Sequence, residues 1–194
     1  MSILKNSCAV TILMVFILSS CGTKMYTSTS YFDCKSSKDF ELKTDRQKII
    51  YHLLEKAVVT EKDIPDYGLH KNKSQFYVLN KEIKRINKAP FYDYVPLAKN
   101  EMPTKIGAVS FCWKTQNELQ TIADETNDFL YLSLGEIQIN GNKASVRLNN
   151  EWITSEKNKG KYTYMSGGGY ELPLIKEDNE WIIDRSKEMI QWIS

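Results

Sequence analysis

Ser166-Gly167-Gly168-Gly169 is the stretch best able to hold something. Residues without side chains leave their backbone amides bare, and a concave run of amides cradles an anion or an oxyanion. The run has neither the GxxxxGK[ST] spacing of a P-loop nor the GxSxG spacing of a nucleophile elbow. Lying between two strand-like halves, it also reads as a sharp bend or wide bulge in a curved sheet. Gly167, Gly168 and Gly169 are therefore candidate ligand contacts on one reading and a corner on the other. The second candidate group is Phe91-Tyr92-Asp93-Tyr94. Tyr92 and Tyr94 offer rigid amphipathic area for the lip of a binding site, against the alternative of loop packing over a core.

Other groups carry less. His52 lies about 140° from the centre of the apolar stripe of its helix and is expected in solvent, while His70 sits in a polar loop with Pro65 and Gly68. Neither has another histidine nearby in sequence, so no metal site is expected. Asp124 and Asp128, at i and i+4, could share a proton or bind a hard cation, but exposed acids near a helix end are the commoner case. Lys157 to Lys161 with Tyr162 and Tyr164 has the composition of a nucleic-acid contact and equally that of a solvated hairpin tip. The chain carries 26 basic and 24 acidic residues among 194, a net +2 that gives no electrostatic case for nucleic acid. No cofactor-binding motif is present.

The amino terminus decides delivery. Lys5 precedes an apolar run from Cys8 to Leu18, eleven residues long and about 16 Å as a helix, too short to span a hydrocarbon core of about 30 Å. Leu18-Ser19-Ser20-Cys21 then ends it. This segment resembles the lipobox of bacterial lipoprotein precursors, the alternative being an ordinary secretory signal with a chance cysteine. The resemblance implies cleavage after Ser20 and a diacylglyceryl group on the Cys21 thiol, so that the lipid bilayer is a partner. Gly22 in the position after Cys21, where an aspartate favours inner-membrane retention in enterobacterial lipoproteins, points to the outer membrane of a Gram-negative cell envelope.

Removal of residues 1–20 of 194 leaves 174, enough for one domain and a tether. The expected organisation is a signal peptide at 1–20, a lipidated cysteine and flexible tether at 21–43, and a single α+β domain at 44–194. Residues 22–30 are small and polar, and a segment of roughly 15 such residues reaches about 20 Å. Cys34 and Cys112 remain in an oxidising compartment, either joined in a disulfide or separate, with Cys112 buried between Phe111 and Trp113.

Two capping boxes mark helices, Thr44 with Gln47 and Thr115 with Glu118. Ile49, Ile50, Leu53, Leu54, Ala57 and Val58 form the buried stripe of the first; Leu119, Ile122 and Ala123 form that of the second. Strands are expected at 75–79 and 105–113, with an irregular proline-containing stretch between them. Leu130, Leu132 and Leu134 alternate, Ile137 and Ile139 switch parity at Gly135, and Asn140-Gly141 signals a hairpin into Ala144, Val146 and Leu148. Strands around 162–165, 170–175 and 180–183 follow, with an extended end through Ile190 and Trp192. The fold class is α+β, a curved antiparallel β-meander packed against N-terminal and central helices.

This order of elements over residues 44–185 resembles the nuclear-transport-factor-2-like superfamily. The resemblance implies a cone-like sheet around a helix layer and includes isomerases and dehydratases as well as members that only bind or assemble. No residue here matches their catalytic sites. The leading expectation is a non-enzymatic envelope lipoprotein, a ligand-binding or assembly module for an envelope protein or a small apolar ligand. The alternative is a small-molecule enzyme (isomerase, dehydratase or hydrolase type) with an acid or base in a conical pocket.

Overall fold

Thr44 starts helix α1 (Asp45–Leu54) by accepting from the Gln47 backbone N–H at 3.2 Å, while the Gln47 side chain accepts from the Thr44 N–H at 2.8 Å. The two bonds satisfy amides that a helix start leaves without partners. A π-type turn over Glu55–Val59 extends the helix, closed by the Thr60 N–H on the Glu55 carbonyl. All six residues of the expected stripe are buried. Helix α2 (Gln116–Glu125) opens with the same device at Thr115 and Glu118 and buries Leu119, Ile122 and Ala123. The computed structural model describes residues 34, 40–60, 64, 73–85, 92–161 and 167–193. Leu18 to Cys21, the tether stretch 22–30, His70, Phe91 and the stretch 162–166 lie outside the described residues. No helix among the described residues is long and apolar enough to cross a membrane.

Ten strands form one curled, half-barrel sheet. In chain order they are β1 (Gln75–Arg85), β2 (Tyr92–Pro96), β3 (Lys105–Ile106), β4 (Val109–Lys114), β5 (Phe129–Gly135), β6 (Gln138–Asn140), β7 (Lys143–Ile153), β8 (Gly168–Glu177), β9 (Glu180–Ile183) and β10 (Ile190–Ile193). The spatial order is β10-β8-β7-β5-β1-β4-β3, with β2 on β1, β6 on β7 and β9 on β8. From β5 onward the pairing is antiparallel, but β1 lies parallel to both β4 and β5, so the sheet is mixed and not the meander expected. The cause is visible in Phe76-Tyr77-Val78-Leu79, an unbroken apolar run of the kind that serves a strand covered on both faces. Phe76 and Val78 face one core, Leu79 and Tyr77 another.

Those two cores lie on opposite sides of the sheet. On one side Phe76, Val78, Leu132, Leu134, Val146, Leu148, Leu172 and Leu174 surround the stripe of α1. On the other, Leu79, Tyr131 and Ile153 pack with Leu119 and Ala123 of α2. Each strand thus reads even-numbered residues to α1 and odd-numbered residues to the α2 side, the period of two that a pleated strand imposes. Because α2 is only ten residues long, it covers one end of its face and leaves the rest open.

Further differences from the sequence reading have local causes. The 105–113 run is a hairpin, β3 and β4, turned at Gly107 and Ala108. Tyr92–Pro96 is a strand and not loop packing, since Pro96 stands at its end opposite Lys81, where a missing N–H costs little. Ile137 does turn inward, 7 % exposed, its N–H held by Glu82, but Ile139 points outward. Pro173 falls where the far edge of β8 passes from β10 to β9, a point that needs no N–H. Its carbonyl accepts from the Asp184 N–H instead. The turn Asp178-Asn179 has both residues at positive φ, as a two-residue primed hairpin requires. His52 is only 19 % exposed, 4.0 Å from Glu55, because β9 runs beside α1.

A disulfide joins Cys34 to Cys112 on β4, with Cα atoms 4.7 Å apart. Asp45, at the start of α1, accepts from Lys176 of β8 and from the indole of Trp181 on β9. Glu82, 2 % exposed, accepts from Arg46 and from the Ile137 N–H, while Arg46 also reaches Glu101 at 2.7 Å.

Candidate functional site

The uncovered part of the α2-side face is a cleft of about 470 Å³, inside the range of roughly 300–1,000 Å³ typical of ligand sites. Its composition follows from register. On β5 and β7, Tyr131 stands directly opposite Glu151 and Ser133 opposite Asn149. All four are odd-numbered, and each pair is within side-chain reach across the strands. Tyr131 Oη donates to Glu151 Oε2 at 2.7 Å, Ser133 Oγ donates to Glu151 Oε1 at 2.5 Å, and Asn149 Nδ2 donates to Ser133 Oγ at 3.1 Å. Burial, then the Glu151 charge and hydrogen bond, push the Tyr131 phenol far above its ordinary value, so it stays a donor.

One wall comes from β2. Tyr92 pairs with Arg85 and Tyr94 with Ile83, so alternation turns both tyrosines to the same side, and each remains about half exposed, 53 % and 50 %. The opposite wall is Trp192 of β10, set against Gly169. A Cβ on Gly169 would lie 2.9 Å from Trp192 Nε1 and would collide with the Leu148 carbonyl, so only glycine lets the indole settle there. Gly135 has the same meaning at the floor, where a Cβ would stand 2.6 Å from that of Arg147. Arg147 is held by Glu171, its cross-strand neighbour, with Nε at 2.9 Å and Nη2 at 2.7 Å from one carboxylate oxygen.

Of the residues singled out in the sequence, Tyr92, Tyr94 and Gly167 line this cleft. Gly168 and Gly169 begin β8 beneath β10 and present no open amide cradle there. Cys21 lies outside the described residues, and Cys34 and Cys112 are spent on each other. Asp124 and Asp128 do not form a carboxylate pair on one turn, since α2 ends at Glu125. Asp128 accepts from the Ser155 amide and hydroxyl and from Asn158, and Asp124 from the Glu156 amide, so both clamp the turn after β7. No group of three or more His, Cys, Asp or Glu able to hold a metal occurs among the described residues. Arg147, Asn149, Glu151, Tyr131, Ser133 and Trp192 were not legible as a site. Their only sequence signal is the polar half of the β7 alternation, which looks the same as a solvated face.

Chemically the cleft is built to hold. The Ser133 proton is committed to Glu151, and no imidazole stands beside it to make Ser133 a nucleophile. Two buried atoms in the cleft have no hydrogen-bond partner among the described residues, Asn149 Oδ1 and Trp192 Nε1. A larger hollow of about 710 Å³ between α1 and β9 has charged walls, and its Asp184 is already bonded to Ser186. It holds neither an aromatic wall nor an orphaned buried atom. Comparison with protein-family models, with curated proteins and with solved structures found no match to the chain.

Proposed function

We propose that this protein is a non-enzymatic, membrane-anchored envelope lipoprotein that binds a small ligand in the cleft between β2 and β10. The observation that carries the binding role is the cleft's construction. Aromatic walls stand over a floor whose polar groups are fixed by cross-strand hydrogen bonds, and those bonds leave two buried atoms unused. Preorganised walls of this kind lower the ordering cost of binding.

The lipobox resemblance at Leu18 to Cys21 supports delivery to the envelope and acylation of Cys21, with the outer membrane as the expected leaflet. With Cys34 tied to β4, twelve residues separate the acylated cysteine from the fold, a reach of about 20 Å. The β4 side of the sheet would then sit nearest the membrane. The curled sheet around α1 is compatible with a nuclear-transport-factor-2-like cone, although the second helix on the opposite face and the parallel β1 are distinguishing features. An enzyme using Glu151 as acid or base is the second reading, favoured only by the place of that carboxylate in the cleft.

Native mass spectrometry of the full chain purified from its own membranes tests the binding role. A low-mass adduct on the wild type that is lost in Tyr94→Ala supports it, and a chain with no adduct counts against it. Incorporation of a labelled fatty acid that disappears in Cys21→Ser tests the anchor separately.

A further inference from the structure

Building on the binding role just proposed, we infer that the cleft takes a neutral polyhydroxylated ring, a hexopyranose or a short chain of them. The polarity of the floor fixes what the ligand must offer. Glu151 accepts from both Tyr131 and Ser133. The single Ser133 proton is therefore used, and Ser133 Oγ can only accept from its other neighbour. Asn149 must turn its Nδ2 to Ser133, which assigns the amide orientation and leaves Oδ1 as an acceptor. Asn149 is 6 % exposed and that oxygen is buried without a partner. Trp192 Nε1, the other orphan, can only donate.

An acceptor and a donor are thus both unsatisfied in one cleft. They also converge on one place, because a Cβ on Gly169 would stand 2.9 Å from Trp192 Nε1 and 3.0 Å from the Asn149 Cα. A carboxylate cannot donate to Asn149, and an ammonium cannot accept from Trp192. A trans amide directs its N–H and C=O to opposite sides and cannot serve two groups at one point. A hydroxyl does both through a single oxygen.

The walls select what carries the hydroxyl. Tyr92 and Tyr94 expose about half their surface on one side, giving flat apolar area with polar tips, to which the C–H face of a sugar ring is complementary. The carboxylate of Glu151 retains lone pairs for a further hydroxyl, and Arg85 and Arg147 supply donors at the rim. An alkyl chain would leave all of these groups buried and unpaired, which is costly.

The test is a tryptophan-fluorescence and saturation-transfer NMR titration of the full chain in a detergent without a sugar head group. The probes are the methyl glycosides of glucose, galactose, mannose and N-acetylglucosamine and their β-1,4-linked dimers, set against cyclohexanecarboxylate and N-acetyl-dialanine amide. At least one saccharide is expected to bind, about tenfold more weakly to Trp192→Phe, which keeps the ring and loses only the N–H, and more weakly again to Tyr94→Ala, with unchanged melting temperatures. Binding of a hydroxyl-free probe with none of any saccharide overturns the ligand class and leaves the cleft as a binding site. Failure of every probe overturns both. Saccharide binding that neither substitution changes places the ligand elsewhere and overturns the inference as well.

Discussion

Ser133→Ala removes the middle of the cleft floor, and its cost can be worked from the contacts. Asn149 loses the acceptor for Nδ2 in surroundings that leave the residue 6 % exposed, so little water replaces it. A buried donor left unsatisfied costs about 1–3 kcal/mol. Glu151 loses one of its two donors, but it is only partly buried and water can reach it, so that loss adds less than about 1 kcal/mol. The expected destabilisation is about 2–3 kcal/mol, which in a domain of this size lowers the melting temperature by about 4–12 °C. Urea unfolding followed by tryptophan fluorescence reads it, with a shifted midpoint and an unchanged slope. Tyr131→Phe removes the other donor to Glu151, so the double variant should lose less than the sum of the two. A loss below about 0.5 kcal/mol for Ser133→Ala, or strict additivity with Tyr131→Phe, would show that the floor is not a connected network and would remove the basis for assigning Asn149 Oδ1 as the free acceptor.

Arg46→Ala leaves the nearly buried Glu82 carboxylate with one backbone donor, and because Arg46 itself is about a third exposed the cost should fall below the usual 3–5 kcal/mol, at about 2–4 kcal/mol; urea unfolding measures it, and Arg46→Met with Glu82→Leu should recover most of it. The phenol of Tyr131 has a raised folded-state pKa, so its contribution is fully present below the ordinary tyrosine value of about 10 and is lost as pH rises beyond it. Urea midpoints from pH 8 to 11 should therefore fall more steeply for wild type than for Tyr131→Phe, and parallel curves would contradict that burial. The Asp45 carboxyl is held below its ordinary range by its bond from Lys176 and then by that from Trp181, so its contribution is present above about pH 4 and is lost as pH falls through the folded value; Asp45→Asn should flatten the acid limb of the stability curve. Reduction of Cys34–Cys112, which closes a loop across 78 residues, should cost about 4–5 kcal/mol on the chain-entropy account. Unfolding with and without a reductant checks this, and Cys34→Ser should match the reduced wild type.

The helices were readable because their signals are local. A hydroxyl at Thr44 or Thr115 and a carbonyl or carboxylate three residues later need no knowledge of the rest of the chain. The sheet was readable only where neighbours in sequence pair, as in the turn at Asp178-Asn179. The parallel place of β1 depends on β4 and β5, which lie tens of residues away, and the one hint, apolar residues at 76–79 without alternation, fits a buried helix segment equally well. The site divides the same way. Tyr92 and Tyr94 announced themselves by residue type, whereas the meeting of Tyr131 with Glu151 is a matter of register between β5 and β7. Polar residues at every second position of a strand say solvent until something is known to stand over them. Trp192 needed one more step, since what admits it is the absent side chain at Gly169.

The contacts of Asp45 also set a timetable. The first residue of α1 is held by partners 131 and 136 residues later, and the helix stripe is enclosed by β7 and β8 as well as by β1. A chain emerging from a ribosome or a translocation pore therefore carries an uncovered apolar helix until nearly all of it has passed. Closure over such separations is slow compared with local pairing. The consequence is a protein that remains unfolded in transit and acquires its structure in one late event, with the six stripe residues of α1 as the surface for a chaperone to shield in the interval.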